Sequence, residues 1–289
     1  MNRYVKSHGL GNDYIVLNEA DLSFRLTPET VRFLCHRHYG IGSDGILVLG
    51  APRTSPFGLR IFNPDGSEAE KSGNGIRIFA KYLFDHGYTR DTAFYIETKG
   101  GLVRVELKVE GDRVTLVTVE MGRVSFQSSD IPVTGEKREV VNEELNLTEE
   151  RFQFTGVSVG NPHCVILADA LDPDEVRRLG PQIEHHALFP QRINVQFVKV
   201  GSRDRVAMLI WERGAGYTLA SGSSACAVAA ACHRLGLVDN QVTIQMPGGD
   251  LAVTIQPDWE LTMRGPVSEV CTGTLSADLL EQIQSTRPA

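Results

Sequence analysis

The sequence contains one distinctive segment twice, a turn rich in glycine and serine that leads directly into an apolar helix. The first copy reads NPDGSEAEKSGNGIRIFAKYLF from Asn63 to Phe84, and the second reads ERGAGYTLASGSSACAVAAA from Glu212 to Ala231. Four separate stretches share one offset of 149 positions: Ser72-Gly73 with Ser221-Gly222, Gly11-Asn12 with Gly160-Asn161, Gly100 with Gly249, and Asn63 with Glu212. Chance seldom holds one offset through four matches, so we interpret the chain as two copies of one unit.

Length and repeat together predict two domains. A chain of 289 residues is long enough to bury two separate cores. We expect an N-terminal domain over residues 1–118, with the C-terminal segment 266–289 packing back on it, and a second domain over residues 119–265. Each half has the pattern of short strands around one glycine-opened central helix. Three further helices are predicted where a capping residue appears, at Thr27-Pro28, Asp172-Pro173 and Ser276.

Net charge, apolar runs and cysteine spacing argue against several classes of binding partner and structural site. The net charge of −7 argues against a general nucleic-acid partner or an acidic membrane surface. No run approaches about 18 apolar residues and the first residues show no apolar signal segment, so we expect a cytoplasmic protein. The five cysteines form no C-x-x-C pair, which predicts reduced, mostly buried thiols and neither a disulfide framework nor a zinc site.

Each glycine turn places a serine, Ser72 or Ser221, at the mouth of its helix. Helix mouths present unpaired N–H groups and a partial positive charge, which suit a carboxylate or a phosphate. If the two copies face each other, they hold one carboxylate from both sides and place the two serines on opposite faces of the ligand. Opposed groups of this kind can invert an α-carbon, because one removes the proton and the other returns it.

The repeated segments resemble the two signature segments of diaminopimelate epimerases, a family of cofactor-independent amino-acid epimerases. The segments HGLGNDYIVLN, RHYGIGSDGILVL, VGNPHCVIL, FPQRINVQF and MPGGDLAV are also similar to that family, in its order. The resemblance implies an α/β fold of two pseudo-symmetric domains, each a β-barrel wrapped around a central α-helix. It further implies the interconversion of LL- and meso-2,6-diaminopimelate on the route to lysine and peptidoglycan, no cofactor, and a homodimer.

The chain departs from the family at the reacting groups. Family epimerases use a cysteine pair for proton transfer, and this chain has Ser72 and Ser221 at those positions. A thiol has a pKa of about 8.5, and a helix N-terminus lowers it further. If a serine base costs about 4 pKa units, the penalty is roughly 10⁴-fold in rate. Serine serves as a base only when a neighbour takes its proton, so the two-thiol mechanism does not carry over unchanged.

The resemblance also implies a set of site residues. His163 and Glu212 match the residues that partner the two thiols, and we place them with Ser72 and Ser221 in the catalytic set. Arg213 offers a planar fork for the distal carboxylate of diaminopimelate. The predicted substrate-binding set comprises Asn12, Asn63, Gly73, Asn74, Asn161, Asn194, Glu212, Arg213, Gly222 and Ser223. Cys226 lies inside the second helix, and we expect it to face the core rather than replace a reacting group.

Three interpretations remain open at this point. The first is an epimerase that works with Ser72 and Ser221. The second is a related isomerase or lyase in which His163 or Glu212 is the single base. The third is an amino-acid-binding paralogue, or a Cys-to-Ser variant, with impaired turnover.

No cofactor is expected in any of the three interpretations. The eight histidines show no ligand spacing, and no phosphate-loop pattern is present. Pyridoxal phosphate would need a Schiff-base lysine, and the paired helix mouths make it unnecessary. We therefore expect a small amino acid as the only ligand, with no metal and no nucleic acid.

Overall fold

Each copy of the repeated segment forms a buried helix inside its own set of strands. The computed structural model describes residues 1–148 and 150–285. The last four residues of the predicted C-terminal segment 266–289 lie outside the described part. The chain divides into two units, one comprising Met1–Val119 and the segment from Gly265, the other comprising Glu120–Arg264.

The first unit contains ten strands or helices from the N-terminal part of the chain and two from its end. They are β1 (Arg3–Gly9), β2 (Asn12–Asn18), α1 (Pro28–Cys35), β3 (Ile46–Gly50), β4 (Phe57–Phe62), β5 (Glu68–Ala69), α2 (Gly73–Asp85), β6 (Ala93–Thr98), β7 (Gly101–Glu110) and β8 (Arg113–Arg123), of which the last four residues belong to the other unit. A short 3-10 helix spans Glu19–Asp21.

The second unit repeats this order after one extra strand. Its elements are β9 (Glu143–Asn146), β10 (Arg151–Ser158), β11 (Pro162–Leu167), α3 (Pro173–Glu184), β12 (Asn194–Ser202), β13 (Arg205–Glu212), β14 (Gly216–Thr218), α4 (Gly222–Arg234), β15 (Gln241–Met246), β16 (Gly249–Ile255) and β17 (Glu260–Gly265). The chain then returns to the first unit with β18 (Ser268–Thr274) and α5 (Ala277–Ser285).

Strand pairing is the same in the two units. In the first, β1 and β2 are antiparallel, β2 and β3 parallel, β3 and β4 antiparallel, and β4 is parallel to β6. In the second, β10, β11, β12, β13 and β15 follow the same sequence of directions. Helices α2 and α4 begin 149 positions apart and both have 13 residues. The offset read from the sequence is therefore an offset in structure, and each unit is a β-barrel around a central helix.

The central helices are buried because they carry apolar or small side chains on nearly every face. In α2, Ile76, Phe79 and Leu83 are fully buried. In α4, all eight residues from Ala225 to Cys232 are fully buried, and seven of them are Ala or Cys. Small side chains let the surrounding strands lie close to the helix axis. Burial on all sides fixes the helix mouths relative to the strands of their own unit.

The helix starts follow the predicted capping residues. Thr27 Oγ1 accepts the backbone N–H of Thr30, and Asp172 Oδ1 accepts that of Asp174, each with proline in the first turn. Ser276 caps α5 by accepting the N–H of Leu279. Among the described residues, no helix is both long enough and apolar enough to cross a membrane.

Sequence patterns missed several strands. β1 places Val5, Ser7 and Gly9 on its buried face, so it lacks the hydrophobic alternation that marks a half-buried strand. β18 is exposed at six of its seven positions and is held by antiparallel pairing to β1. The polar stretch 127–150, which the sequence suggests to be surface loops, contains β9. Long-range pairing, rather than local pattern, determines these elements.

Candidate functional site

Ser72 lies at the N-cap of α2 with its hydroxyl between a backbone amide and a phenol. Its Oγ accepts the N–H of Gly75 at 3.1 Å, and the hydroxyl of Tyr14 lies 3.1 Å from the same atom. Gly73 and Asn74 form the first turn, where N–H groups have no partner within the helix. We call Ser72, Tyr14, Gly73, Asn74 and Asn12 the Ser72 cluster. Its helix mouth can receive an anion.

A chain of hydrogen bonds fixes the amide orientations of Asn12 and Asn74. The Nδ2 of Asn12 donates to Asp44 Oδ2 at 3.0 Å, and Asn12 Oδ1 accepts from Asn74 Nδ2 at 3.1 Å. Asn74 Oδ1 in turn accepts from Arg77 Nη2 at 2.9 Å. A carboxylate only accepts and a guanidinium only donates, so the two ends of the chain determine which way each amide points.

Asp44 is itself held in a charged group at the edge of the Ser72 cluster. Arg37 Nη2 donates to Asp44 Oδ1 at 2.7 Å and to Asp13 Oδ1 at 2.9 Å, and Lys6 forms a further ion pair with Asp13. Burial and the neighbouring Asp13 carboxylate raise the pKa of Asp44 above its usual range. The Arg37 contact favours the charged form, in which both Asp44 oxygens accept hydrogen bonds.

Ser221 occupies the equivalent N-cap of α4 but has a carboxylate beside it. Its Oγ donates to Glu212 Oε2 at 3.3 Å, while Thr218 Oγ1 donates to Glu212 Oε1 at 2.7 Å. The N–H of Ser224 and the hydroxyl of Ser223 each lie 3.5 Å from Ser221 Oγ. Ser221, Glu212 and Ser223, together with Gly222 and Asn161, form the Ser221 cluster. A serine that donates to a carboxylate is arranged to lose its proton.

His163 is fully buried behind Asn161, and both of its ring nitrogens are engaged. Nε2 lies 3.1 Å from Asn161 Oδ1, and Nδ1 lies 3.1 Å from Gln196 Nε2. Because the first partner is an acceptor and the second a donor, the ring is neutral with its proton on Nε2. Burial, with the nearby Arg213 charge, lowers the pKa of His163 to about 3. Asn161 Nδ2 then faces Ser223 Oγ at 3.4 Å. The ring has no free lone pair for a substrate proton.

Asn194 and Arg213 meet on the turn between β13 and β14. Asn194 Oδ1 accepts the backbone N–H of Arg213 at 2.9 Å, and Asn194 Nδ2 donates to the Pro162 carbonyl at 2.8 Å. The exposed Arg213 side chain donates to the Gln191 carbonyl at 3.1 Å. No described residue forms an ion pair with Arg213. Its guanidinium is positioned to receive an anionic group.

Glu184, at the end of α3, is hydrogen-bonded to the residues on both sides of Glu212 and Arg213. Its carboxylate is buried and accepts the Nε1–H of Trp211 at 2.8 Å and the N–H of Gly214 at 2.9 Å. Gly180 packs so closely on Trp211 that an added Cβ would lie 2.4 Å from the indole Cγ. These contacts flank Glu212 and Arg213 on both sides and so set the position of both.

Asn63 occupies the corresponding turn of the first unit and is exposed. Its Nδ2 donates to Ser67 Oγ at 3.0 Å, and its backbone closes the turn with Ser67 and Gly66. In the structure Asn63 therefore has the contacts of a turn residue.

None of the cysteines lies at the N-cap of α2 or α4, where the structure has Ser72 and Ser221. Cys164, Cys226 and Cys232 are fully buried, as expected for Cys226, and burial raises the pKa of Cys232 to about 12. Within the described part of the chain, no group of three or more His, Cys, Asp or Glu side chains is placed to hold a metal ion.

Four residues around the two clusters were not predicted from the sequence: Tyr14, Asp44, Glu184 and Gln196. Tyr14 had a usable signal, because it stands 149 positions before His163 and so occupies the equivalent place in β2. Asp44 and Gln196 lie inside the segments RHYGIGSDGILVL and FPQRINVQF, but their contacts are with side chains from distant parts of the chain. Glu184 lies outside every quoted segment.

Comparison with solved structures shows which known proteins share the fold. A probable proline racemase from Agrobacterium radiobacter shares the fold with a TM-score of 0.73 at 15% identity, covering 96% of this chain and 93% of that one. A hydroxyproline epimerase from Agrobacterium vitis gives 0.72 at 14% identity, covering 96% and 92%. The chain therefore has the fold found in amino-acid racemases and epimerases.

Sequence comparison identifies the family. The family model for diaminopimelate epimerase matches residues 4–127 and 155–270. A diaminopimelate epimerase 2 from Nostoc sp. is 52% identical over 278 residues, covering 96% of each chain, and a diaminopimelate epimerase from Desulfitobacterium hafniense is 41% identical, covering 96% and 99%. The chain belongs to the diaminopimelate epimerase family. Membership supports an isomerase of the epimerase class and does not favour the single-base or the non-catalytic interpretation.

Proposed function

We propose that this chain interconverts LL- and meso-2,6-diaminopimelate without a cofactor, with Ser72 and Ser221 on opposite faces of the reacting α-carbon. The observation that carries the proposal is the pair of serine-capped helix mouths with matching backbone geometry, one of them hydrogen-bonded to Glu212. Family membership and the two named relatives supply the substrate. The same comparison supports a role on the route to lysine.

Each helix mouth has a defined task in the proposed reaction. The first-turn N–H groups at Gly73, Asn74, Gly222 and Ser223 bind the carboxylate next to the reacting carbon and stabilise charge as the α-proton leaves. Ser221 removes that proton while Glu212 takes the serine proton, and Ser72 delivers a proton to the other face. Glu212 thereby offsets part of the penalty that a serine base brings.

Recognition of the distal end rests on the second unit and on the asparagines. Arg213 binds the distal carboxylate through its planar fork. Asn194 orients the Arg213 backbone, and Asn12, Asn161 and Asn63 complete the proposed binding set. His163 acts in this proposal through Asn161, whose oxygen it holds with its Nε2 proton.

The test is an isotope-exchange assay in deuterium oxide with LL-diaminopimelate. We expect deuterium at the α-carbon together with meso product, and a gain in turnover on conversion of both Ser72 and Ser221 to cysteine. The matched control is Ser276→Cys, which changes another serine N-cap on a helix far along the chain from both clusters. Folded parent protein with neither exchange nor meso product rejects the proposal for this chain. Turnover that appears only after the double change supports the interpretation as a Cys-to-Ser variant with impaired turnover. Exchange that never inverts the centre supports a single base instead.

We also propose that the protein is a cytoplasmic homodimer. The resemblance to the family supports the dimer, and the composition supports the compartment. Light scattering on the purified chain should give twice the mass of 31.8 kDa. A single-chain mass across the micromolar range contradicts the dimer.

A further inference from the structure

The hydroxyl of Ser72 has two polar neighbours within hydrogen-bond distance. Its Oγ accepts the Gly75 N–H at 3.1 Å, and the Tyr14 hydroxyl lies 3.1 Å away, where either oxygen can donate. If Tyr14 donates, both lone pairs of Ser72 are engaged and its O–H is free to point at a ligand. Ser221 has the opposite arrangement, because its proton is directed to Glu212.

The position of the Tyr14 hydroxyl is fixed by its packing. The side chain is only 7% exposed, in the middle of β2. Its ring lies against Gly45, where an added Cβ would stand 2.7 Å from Tyr14 Cε1 and 2.5 Å from the Phe62 carbonyl oxygen. No side chain larger than hydrogen fits there without moving backbone, so the glycine maintains the space for the ring. The phenol is thus a rigid neighbour of Ser72.

We propose that Tyr14 is a positioning residue for Ser72, which it orients and supplies with a proton. This inference rests on the proposed epimerase function. When Ser72 gives its proton to the carbanion, the new C–H bond takes the electron pair on the α-carbon, and the phenol proton moves to Ser72 Oγ. Tyr14 is left as phenolate, and Glu212 holds the proton released through Ser221. Solvent returns one proton and removes the other, which closes the cycle.

The relative acidity of the groups explains why a phenol serves here. An unperturbed tyrosine has a pKa of about 10, far below that of an aliphatic hydroxyl, so it is the better source of a proton at neutral pH. A serine without such a neighbour would have to become an alkoxide in the same step. The two units therefore contain a donor pair, Tyr14 with Ser72, and an acceptor pair, Ser221 with Glu212.

The test is Tyr14→Phe, which retains the ring against Gly45 and removes the hydroxyl. We expect inversion to fall about 10²-fold, the effect of losing one proton-transfer partner, with KM unchanged. Exchange should respond differently for the two isomers. From the isomer that Ser221 deprotonates, deuterium should still enter the recovered starting material, since Ser221 and Glu212 are intact. From the other isomer, exchange and inversion should fall together.

The matched control is Tyr82→Phe, which removes another buried hydroxyl of the same unit, one that bonds to Tyr88. It should leave all four rates within about twofold of the parent. A purely structural role for Tyr14 lowers exchange and inversion equally for both isomers, and that result overturns the inference, as does inversion within twofold of the parent. Absence of exchange in the parent chain instead rejects the proposed function, so the two failures are distinguishable.

A second background measures the coupling directly. In Ser72→Cys, the thiol needs no proton relay, so Tyr14→Phe should cost less than about a tenth of what it costs beside serine. Equal losses in the two backgrounds contradict a role that acts through the serine hydroxyl.

Discussion

The helices α2 and α4 begin with the same backbone and with different side chains around it. Ser72 and Ser221 have φ of −142° and −143° and ψ of 116° and 123°. Ser72 has a phenol beside its hydroxyl, and Ser221 has a carboxylate. The anion-binding property of a helix mouth depends on backbone N–H groups, so it persists when the side chains change. The backbone at the two helix mouths is therefore equivalent, whereas the side chains beside the two serine hydroxyls differ.

Two equivalent asparagines show the same divergence. Asn12 is oriented by the charged Asp44, whereas Asn161 is oriented by the neutral ring of His163. One unit uses a partly exposed ionic group and the other a fully buried neutral one. The comparison predicts that pH and charge changes affect the two clusters differently.

The largest expected effect comes from the carboxylate that distinguishes Ser221. Glu212→Gln removes the acceptor for the serine proton and should lower kcat about 10³-fold, or about 4 kcal/mol in activation free energy. Steady-state assays with LL-diaminopimelate measure it. The control is Glu143→Gln, which removes a carboxylate paired with Arg138 in the same unit. A loss smaller than tenfold would mean that the two serines do not differ in the way their neighbours suggest.

The second-largest expected effect concerns Glu184, whose hydrogen bonds hold the turn that follows Glu212. Glu184→Gln replaces one accepting oxygen by a donating amide opposite Trp211 or Gly214, so one partly buried N–H loses its partner, and the ion pair with Arg192 is lost as well. We expect about 2–3 kcal/mol less stability in urea denaturation. The first unit has Cys35 at the position equivalent to Glu184, so it has no carboxylate at that end of its helix α1. The exposed Glu175→Gln on the same helix as Glu184 is the control, and equal stability losses in the two variants contradict the assigned support.

The two equivalent helices could be predicted from the sequence, but the side chains beside their capping serines could not. The offset of 149 positions predicted α2 and α4, because capping serines, glycine turns and apolar bodies are local signals. The side chains that contact the two serine hydroxyls are harder to predict from the sequence. Tyr14 and Ser72 are 58 positions apart, and their contact depends on how a ring packs against Gly45. Asn63 lies in a motif that predicts binding and has the contacts of a turn residue in the structure, so its place in the binding set stays a prediction.

The buried histidine gives the third prediction, which concerns pH. The pKa of His163 is about 3 in the folded chain and 6.5 ordinarily, so the folded protein keeps it neutral while the unfolded chain takes up a proton below pH 6.5. Stability from this group is therefore complete above pH 6.5 and is lost as the pH falls towards 3. Between pH 7 and pH 5 the loss is about 2 kcal/mol.

Comparison with His163→Gln isolates the contribution of His163 to the pH dependence of stability, because the remaining titratable groups are the same in both proteins. The variant should lose less stability than the parent over the same interval, by about 2 kcal/mol in urea denaturation. The exposed His185→Gln is the control for removal of an imidazole. Parallel pH profiles for the parent and His163→Gln would show that the ring is not held neutral.

The smallest effect is expected at Asp44, which orients Asn12 as His163 orients Asn161. Asp44→Asn keeps the shape beside Asn12 but can donate as well as accept, so the amide of Asn12 is no longer held in one orientation. Since Asn12 belongs to the proposed binding set and not to the proposed catalytic set, KM should rise about fivefold, near 1 kcal/mol, while kcat stays within about twofold. The exposed Asp91→Asn in the same unit controls for the loss of one charge. A fall in kcat with constant KM would mean instead that Asp44 acts on proton transfer, and the ionic and neutral supports of the two asparagines would then not be equivalent.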